Sequence, residues 1–199
     1  MKSTKVEWLG DIPEHWNVIP LKYFVSMKSG EQITSEQITE VGDFPVYGGN
    51  GLRGYFEKYT HDGEYCLIGR QGALCGNINY ANGKFWASEH AIVVSPLNPT
   101  STLYLGELLR SMNLGQYSTS AAQPGLSVEA IGNLRIPVAS LEEQTSIAEY
   151  LKKEFIKWDT LTEAAFNSIS LLQERRSALI SAAVTGQIDV RNYKFKEAA

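Results

Sequence analysis

The sequence predicts an α+β fold: a mixed α/β globular domain followed by one long α-helix of coiled-coil character. Two observations carry this. Ten of the 17 glycines fall between Gly42 and Gly83 among short apolar runs, the pattern of strands joined by tight turns. Residues 141–185 contain neither glycine nor proline, and apolar side chains recur there by fours and threes. The expected organisation is a globular domain over 1–139, a helix over 140–186 and a C-terminal tail over 187–199.

Taken in order, Pro20 suits a first helical position, and Leu21, Phe24 and Val25 follow at helical spacing until Gly30. Short strands are expected at Pro45–Tyr47, Tyr65–Ile68, Asn77–Tyr80 and Ala91–Val94. Ser101 or Thr102 caps a helix whose Leu105, Leu108, Leu109 and Met112 share a face and which ends before Gly115. A short turn at Ser127–Ile131 leads into a strand at Leu134–Val138.

The long helix opens with a capping box, Ser140 serving the amide of Glu143 and Glu143 reaching back. Gly186 stops it. From Gln144 to Ala183, nine of twelve seam positions are apolar. The seam includes Leu151, Phe155, Trp158, Ile169, Leu172 and Leu179. A straight helix of this length runs about 68 Å, too far for a small domain at one end to cover. The seam therefore calls for a partner helix, from a second copy or another subunit. The alternative is a hairpin folded at Asp159–Thr162.

Composition narrows the function. With 18 Lys+Arg against 22 Asp+Glu the net charge is −4, unlike a protein that simply coats nucleic acid. Neither part is a basic patch. Residues 1–140 hold 10 basic and 13 acidic residues, and residues 141–199 hold 8 and 9. Cys66 and Cys75 read as small buried hydrophobes, and the absence of an apolar leader or span predicts a cytoplasmic protein with no membrane association. His15, His61 and His90 lack metal-ligand spacing, so no metal site is expected. There is no Walker loop, no Asp/Glu-x-Lys tripeptide, no Gly-x-Ser-x-Gly elbow and no Pro-Pro pair of the amino-methyltransferase type. No catalytic residues are assigned.

What remains is a set of polar, glycine-flanked loops at 47–55, 68–76, 88–90 and 118–125. They carry Asn50, Arg53, Arg70, Gln71, Ser88, His90, Ser118, Thr119 and Gln123. Forked amide and guanidinium groups match base edges, and hydroxyls serve bases or phosphates. The alternative is that the glycines only shape turns and the arginines are solvated.

A set of motifs in fixed order then points to a family. It begins with Glu7-Trp8-Leu9-Gly10-Asp11-Ile12-Pro13-Glu14-His15-Trp16 and runs through Pro45-Val46-Tyr47-Gly48-Gly49-Asn50-Gly51 and Leu67-Ile68-Gly69-Arg70-Gln71-Gly72. Gln123-Pro124-Gly125-Leu126-Ser127, Ile136-Pro137 and Glu143-Gln144 follow, then Glu174-Arg175-Arg176 and Ala183-Val184-Thr185-Gly186-Gln187-Ile188-Asp189-Val190. The chain resembles the specificity subunits of Type I restriction–modification enzymes, departing at Val138-Ala139-Ser140, where a second proline is expected.

The resemblance implies a non-catalytic reader of double-stranded DNA, with one recognition domain where the family typically carries two. That describes a half-size specificity subunit or one half of a longer one. It would pair as a homodimer through its helix, and twofold symmetry would then call for an interrupted palindrome. The resemblance also implies docking of DNA adenine methyltransferase (modification) subunits and of a restriction/translocase subunit. Those partners would bring S-adenosylmethionine, ATP and Mg; no cofactor is expected in this chain. Within the family pattern, Trp8, Leu9, Ile12 and Trp16 are expected to pack an N-terminal arm on the domain, while Arg53 and Arg70 face DNA. The competing function is an assembly adaptor whose head binds protein rather than DNA.

Overall fold

A computed structural model describes residues 1–118 and 125–191. Its elements are β1 (Lys2–Ser3), β2 (Asp11–Ile12), β3 (Asn17–Pro20), β4 (Val25–Ser29), β5 (Phe44–Gly48), β6 (Gly51–Phe56), β7 (His61–Asp62), β8 (Tyr65–Gly69) and β9 (Ile78–Ala81). They continue with β10 (Lys84–Ala87), β11 (Ala91–Pro96), α1 (Thr102–Ser111), α2 (Val128–Gly132), β12 (Arg135–Val138) and α3 (Leu141–Val184).

Two four-stranded sheets organise the first unit, residues 1–148. One has the order β4-β11-β8-β9 and is antiparallel throughout. The other has the order β6-β5-β10-β7, with β10 parallel to β5. The apolar runs of β8 and β11 are sandwiched, so residues on both faces are buried. Cys66, Ile68, Ile92 and Val94 point into a cluster with α1 and Leu21, Ile131 and Ile136. Leu67 and Val93, one residue out of phase, point the other way onto Phe85, Ala81 and Ala87. Both cysteines are buried, and burial pushes the Cys66 thiol up to about 12.

Ser101 accepts from the Tyr104 amide and starts α1, placing Leu105 and Leu109 in the first cluster. Ser127 does the same for α2 through Ala130. Pairing of β12 with β3 returns the chain beside its own beginning.

Two expectations need correction. Leu21–Tyr23 forms only a 3-10 turn, and the chain then enters β4 instead of a helix. Val25, Met27 and Ser29 turn inward alternately, and all five β4 residues pair with β11, which outweighs the helical spacing. The stretch 47–55, expected as a loop, contains the edge strand β6, joined to β5 by the tight turn Gly49-Asn50.

The break-free segment forms the single helix α3, with no fold-back at Asp159–Thr162. Its first turns belong to the first unit. Gln144 and Ala148 are buried there, Ala148 against Tyr104 and Ala139, and Gln144 Nε2 donates to Ala139 O. The second unit, 149–199, carries the rest of the helix. There Phe155 is 39% exposed, Trp158 59%, and Ile169, Leu172 and Leu179 are exposed as well. Leu151 is half-buried. Exposed apolar residues extend beyond the predicted seam to Ile156, Leu161, Phe166, Leu171 and Ile180, so the apolar surface is wider than the heptad pattern implies. No helix among the described residues is long and apolar enough to cross a membrane.

Candidate nucleic-acid interface

Three of the glycine-flanked loops meet because glycine lets their backbones touch. A Cβ at Gly69 would lie 2.3 Å from Gly49 O and 2.8 Å from Leu74 O. A Cβ at Gly48 would strike Arg53 Cδ at 2.4 Å, so the Arg53 stem lies across the bare backbone of Gly48. Backbone hydrogen bonds complete the join. Arg70 N donates to His90 O at 2.8 Å, and Ser88 N donates to Tyr47 O at 2.9 Å. The fourth loop joins through Leu126 N to Arg70 O at 2.9 Å and through a bridge between Gln71 and Gly125.

The outcome is an open cleft lined by Asn50, Arg53, Gln71 and His90 together with Gly49, Ala73 and Leu74. Asn50, Arg53 and Gln71 are exposed and His90 is half-buried. Arg70 lines a neighbouring cleft that shares Gln71 as a wall. Among the described residues neither Arg53 nor Arg70 is in an ion pair, so both guanidinium forks are available.

Ser88 is a correction. It is 0% exposed, and its hydroxyl accepts from the His90 amide at 3.4 Å, so it supports the loop and offers no surface to a base. Ser118 is half-buried, its Oγ accepting from Gly125 N at 3.0 Å. Thr119 and Gln123 lie outside the described residues.

Three neighbours of this cleft escaped sequence reasoning. Leu74 is exposed at its edge and Ala73 lies beside it, an apolar contact of the kind that meets a thymine methyl group. Glu89 accepts from Ile33 N at 3.3 Å with one oxygen and faces His90 Nε2 at 3.1 Å with the other. Sequence reasoning looked for forked polar side chains next to glycine; Ala73 and Leu74 are apolar, and Glu89 has no glycine neighbour.

Trp8, Ile12 and Trp16 of the N-terminal motif pack as expected, and Leu9 is half-buried outside the core clusters. Ile12 is buried, Trp8 lies against the main core cluster, and Trp16 lies against Tyr104, Ala139 and Ala148. Its polar atoms hold the start of α3. His15 Nε2 is 2.7 Å from Glu143 Oε1, to which Trp16 Nε1 also donates at 3.0 Å. Glu143 Oε2 accepts from Ser140 N at 3.1 Å and from Ser140 Oγ at 2.8 Å, forming the capping box. Hydrogen bonds from Trp16, then His15, then Ser140 hold the Glu143 carboxyl down at about 2. Among the described residues no group of His, Cys, Asp and Glu is placed to hold a metal ion.

A sheet-and-helix head with its polar loops grouped in one place, continued by a long helix with an exposed apolar surface, defines the class of this protein. Its fold and sequence then place it in a family. The description "Type I restriction modification DNA specificity domain" fits residues 13–170, and the chain belongs to that family.

The specificity subunit of the Type I restriction enzyme EcoprrI from Escherichia coli is 42% identical over 158 residues, covering 77% of this chain and 37% of the relative. The Type I restriction enzyme MjaVIII specificity subunit from Methanocaldococcus jannaschii is 25% identical, over 98% of this chain and 51% of the relative. Among solved structures, the S subunit of the Type I restriction–modification system of M. genitalium shares the fold with a TM-score of 0.66 at 17% identity, covering 77% of this chain and 43% of that one. The HsdS subunit from Thermoanaerobacter tengcongensis does so with a TM-score of 0.64 at 18% identity, covering 90% and 47%. The chain thus spans about half or less of each of these relatives.

Proposed function

We propose that this chain is a non-catalytic specificity subunit that reads one half of a bipartite site on double-stranded DNA through the cleft at Asn50, Arg53, Gln71 and His90. The observation that carries the reading is the convergence of Asn50, Arg53 and Gln71 on one cleft, with His90 of a third loop set beside Gln71 and with Arg70, which is in no ion pair among the described residues, in the neighbouring cleft. Amide and guanidinium forks are the groups that distinguish base edges in the major groove. The exposed apolar surface of α3 pairs with the same helix of a second copy, and the twofold dimer reads an interrupted palindrome. Modification subunits dock on this frame and methylate adenine, and a restriction/translocase subunit completes the system. S-adenosylmethionine, ATP and Mg belong to those partners, and the assembly works in the cytoplasm.

Net charge −4 favours a second reading, an assembly adaptor whose head binds protein. Footprinting separates the two. The chain assembled with a modification subunit protects a split sequence on a DNA fragment. Uniform protection of all duplexes, or none, contradicts sequence reading. Replacing Arg53 and Arg70 with Ala removes the footprint of a reader and leaves an adaptor's partners bound.

A further inference from the structure

Gln71 has a histidine ring within hydrogen-bonding distance of its side-chain amide. His90 Nδ1 lies 3.1 Å from Gln71 Oε1, and His90 Nε2 lies 3.1 Å from Glu89 Oε1. The ring is held from behind by its own backbone, bonded to Ser88 Oγ and to Arg70 N. Glu89 is fixed by the Ile33 amide. The Glu89 carboxylate lies beside Nε2 as a close charge contact and not as an aligned hydrogen bond, and its negative charge favours the proton on that nitrogen.

The other nitrogen then has two states. In the imidazolium, Nδ1–H donates to Gln71 Oε1, and the Gln71 NH2 group is left for the cleft. In the neutral ring, Nδ1 is a lone pair. The nearly isosteric amide turns over to donate to it, and the Gln71 carbonyl is left for the cleft. Charged or titratable groups on the segments packed around His90 are Glu89 on its own loop, Arg53 on β6, Arg70 after β8, and Glu31, which bridges to Ser88.

We propose that the Glu89–His90 pair sets the hydrogen-bonding polarity that Gln71 presents to a base edge. An outward NH2 matches the keto bases, guanine O6 and thymine O4. An outward carbonyl matches the amino bases, adenine N6 and cytosine N4. His90 and Glu89 are positioning residues in this scheme, and Gln71 makes the contact. The inference rests on the DNA-reading function proposed above.

The test has two arms. Nitrogen NMR of the free chain reads the His90 tautomer: the neutral ring carries its proton on Nε2, and the Gln71 side-chain amide shifts as the ring titrates. A neutral ring protonated on Nδ1, or a Gln71 amide blind to the titration, overturns the inference without reference to DNA. In the second arm, the chain assembled with a modification subunit selects from randomised duplexes at two pH values, one at which the NMR arm finds the His90 ring charged and one at which it finds the ring neutral. One base position moves from keto to amino preference by about fivefold, the worth of one neutral hydrogen bond. His90→Gln abolishes the move, and Glu89→Gln weakens it by freeing the tautomer. A merely structural role would lower affinity equally at both pH values. A preferred sequence that ignores pH, or a move that survives in His90→Gln, overturns this inference alone. Selection of no sequence at either pH overturns DNA reading and this inference with it.

Discussion

Trp16 donates its indole N–H to Glu143 Oε1 at 3.0 Å, joining the N-terminal motif to the first turn of a helix that begins well over a hundred residues later. The same carboxylate caps that helix through Ser140. One side chain therefore fixes both where α3 starts and which part of the head its first turn lies on.

That junction makes stability depend on acid. The Glu143 carboxyl sits at about 2 in the folded chain against 4.5 for an unperturbed group, chiefly because Trp16, His15 and Ser140 hydrogen-bond its charged form. A depressed carboxyl contributes stability fully present above the unfolded value and lost as pH falls through the folded one. The junction is thus intact above pH 4.5 and released between there and pH 2. Urea midpoints measured across this range fall more steeply in the native chain than in Glu143→Gln, which is already weaker at neutral pH. Parallel curves would show that the Glu143 carboxylate does not hold the junction.

The contact of Gly69 with Gly49 predicts a second outcome. A methyl group at Gly69 meets two backbone oxygens, neither able to move as a side-chain tip would. Gly69→Ala costs about 1–3 kcal/mol, the usual range for overpacking, and separates the loops that form the cleft. Equilibrium unfolding checks the first effect, and loss of sequence selectivity in footprinting checks the second.

Phe85 anchors the second sheet. It is fully buried and contacts the rings of Tyr47, His61 and Tyr65. Phe85→Ala costs about 3–5 kcal/mol, measured by the same unfolding titration. Because Phe85 also packs on Leu67 of the first sheet, the loss appears as a cooperative destabilisation of the head.

How much of this was legible in the sequence depended on how local each signal is. The apolar runs Leu67–Ile68 and Ala91–Val94, the Ser101 cap and the Ser140–Glu143 box are written within a few residues, and each appears where expected. Strand β6 was hidden because an edge strand carrying Arg53 and Gly54 shows no apolar alternation. Leu21, Phe24 and Val25 suggested a helix because a tight turn leading into a strand can bury the same three side chains. In the cleft, Asn50, Arg53 and Gln71 were legible from their glycine neighbours. Ser88 was misplaced because a hydroxyl serves a buried amide as readily as a base. The placement of the Glu89 carboxylate between the Ile33 amide and the His90 ring exists only once the chain is folded.

Pairing through α3 is separately exposed. Replacing Leu151, Ile169 and Leu172 with Gln removes three apolar side chains from the seam while leaving helix propensity nearly intact. Light scattering of the native chain gives a dimer and of the triple variant a monomer. A dimer that survives the substitutions would place the pairing surface elsewhere.

The most direct measurement is a map of adenine methylation in cells carrying the intact gene and in cells carrying Arg53→Ala with Arg70→Ala. Methyl marks are expected at one split, twofold-symmetric sequence in the first cells and are expected to be lost in the second. Marks that persist at the same sequence in the variant would contradict DNA reading through these two arginines.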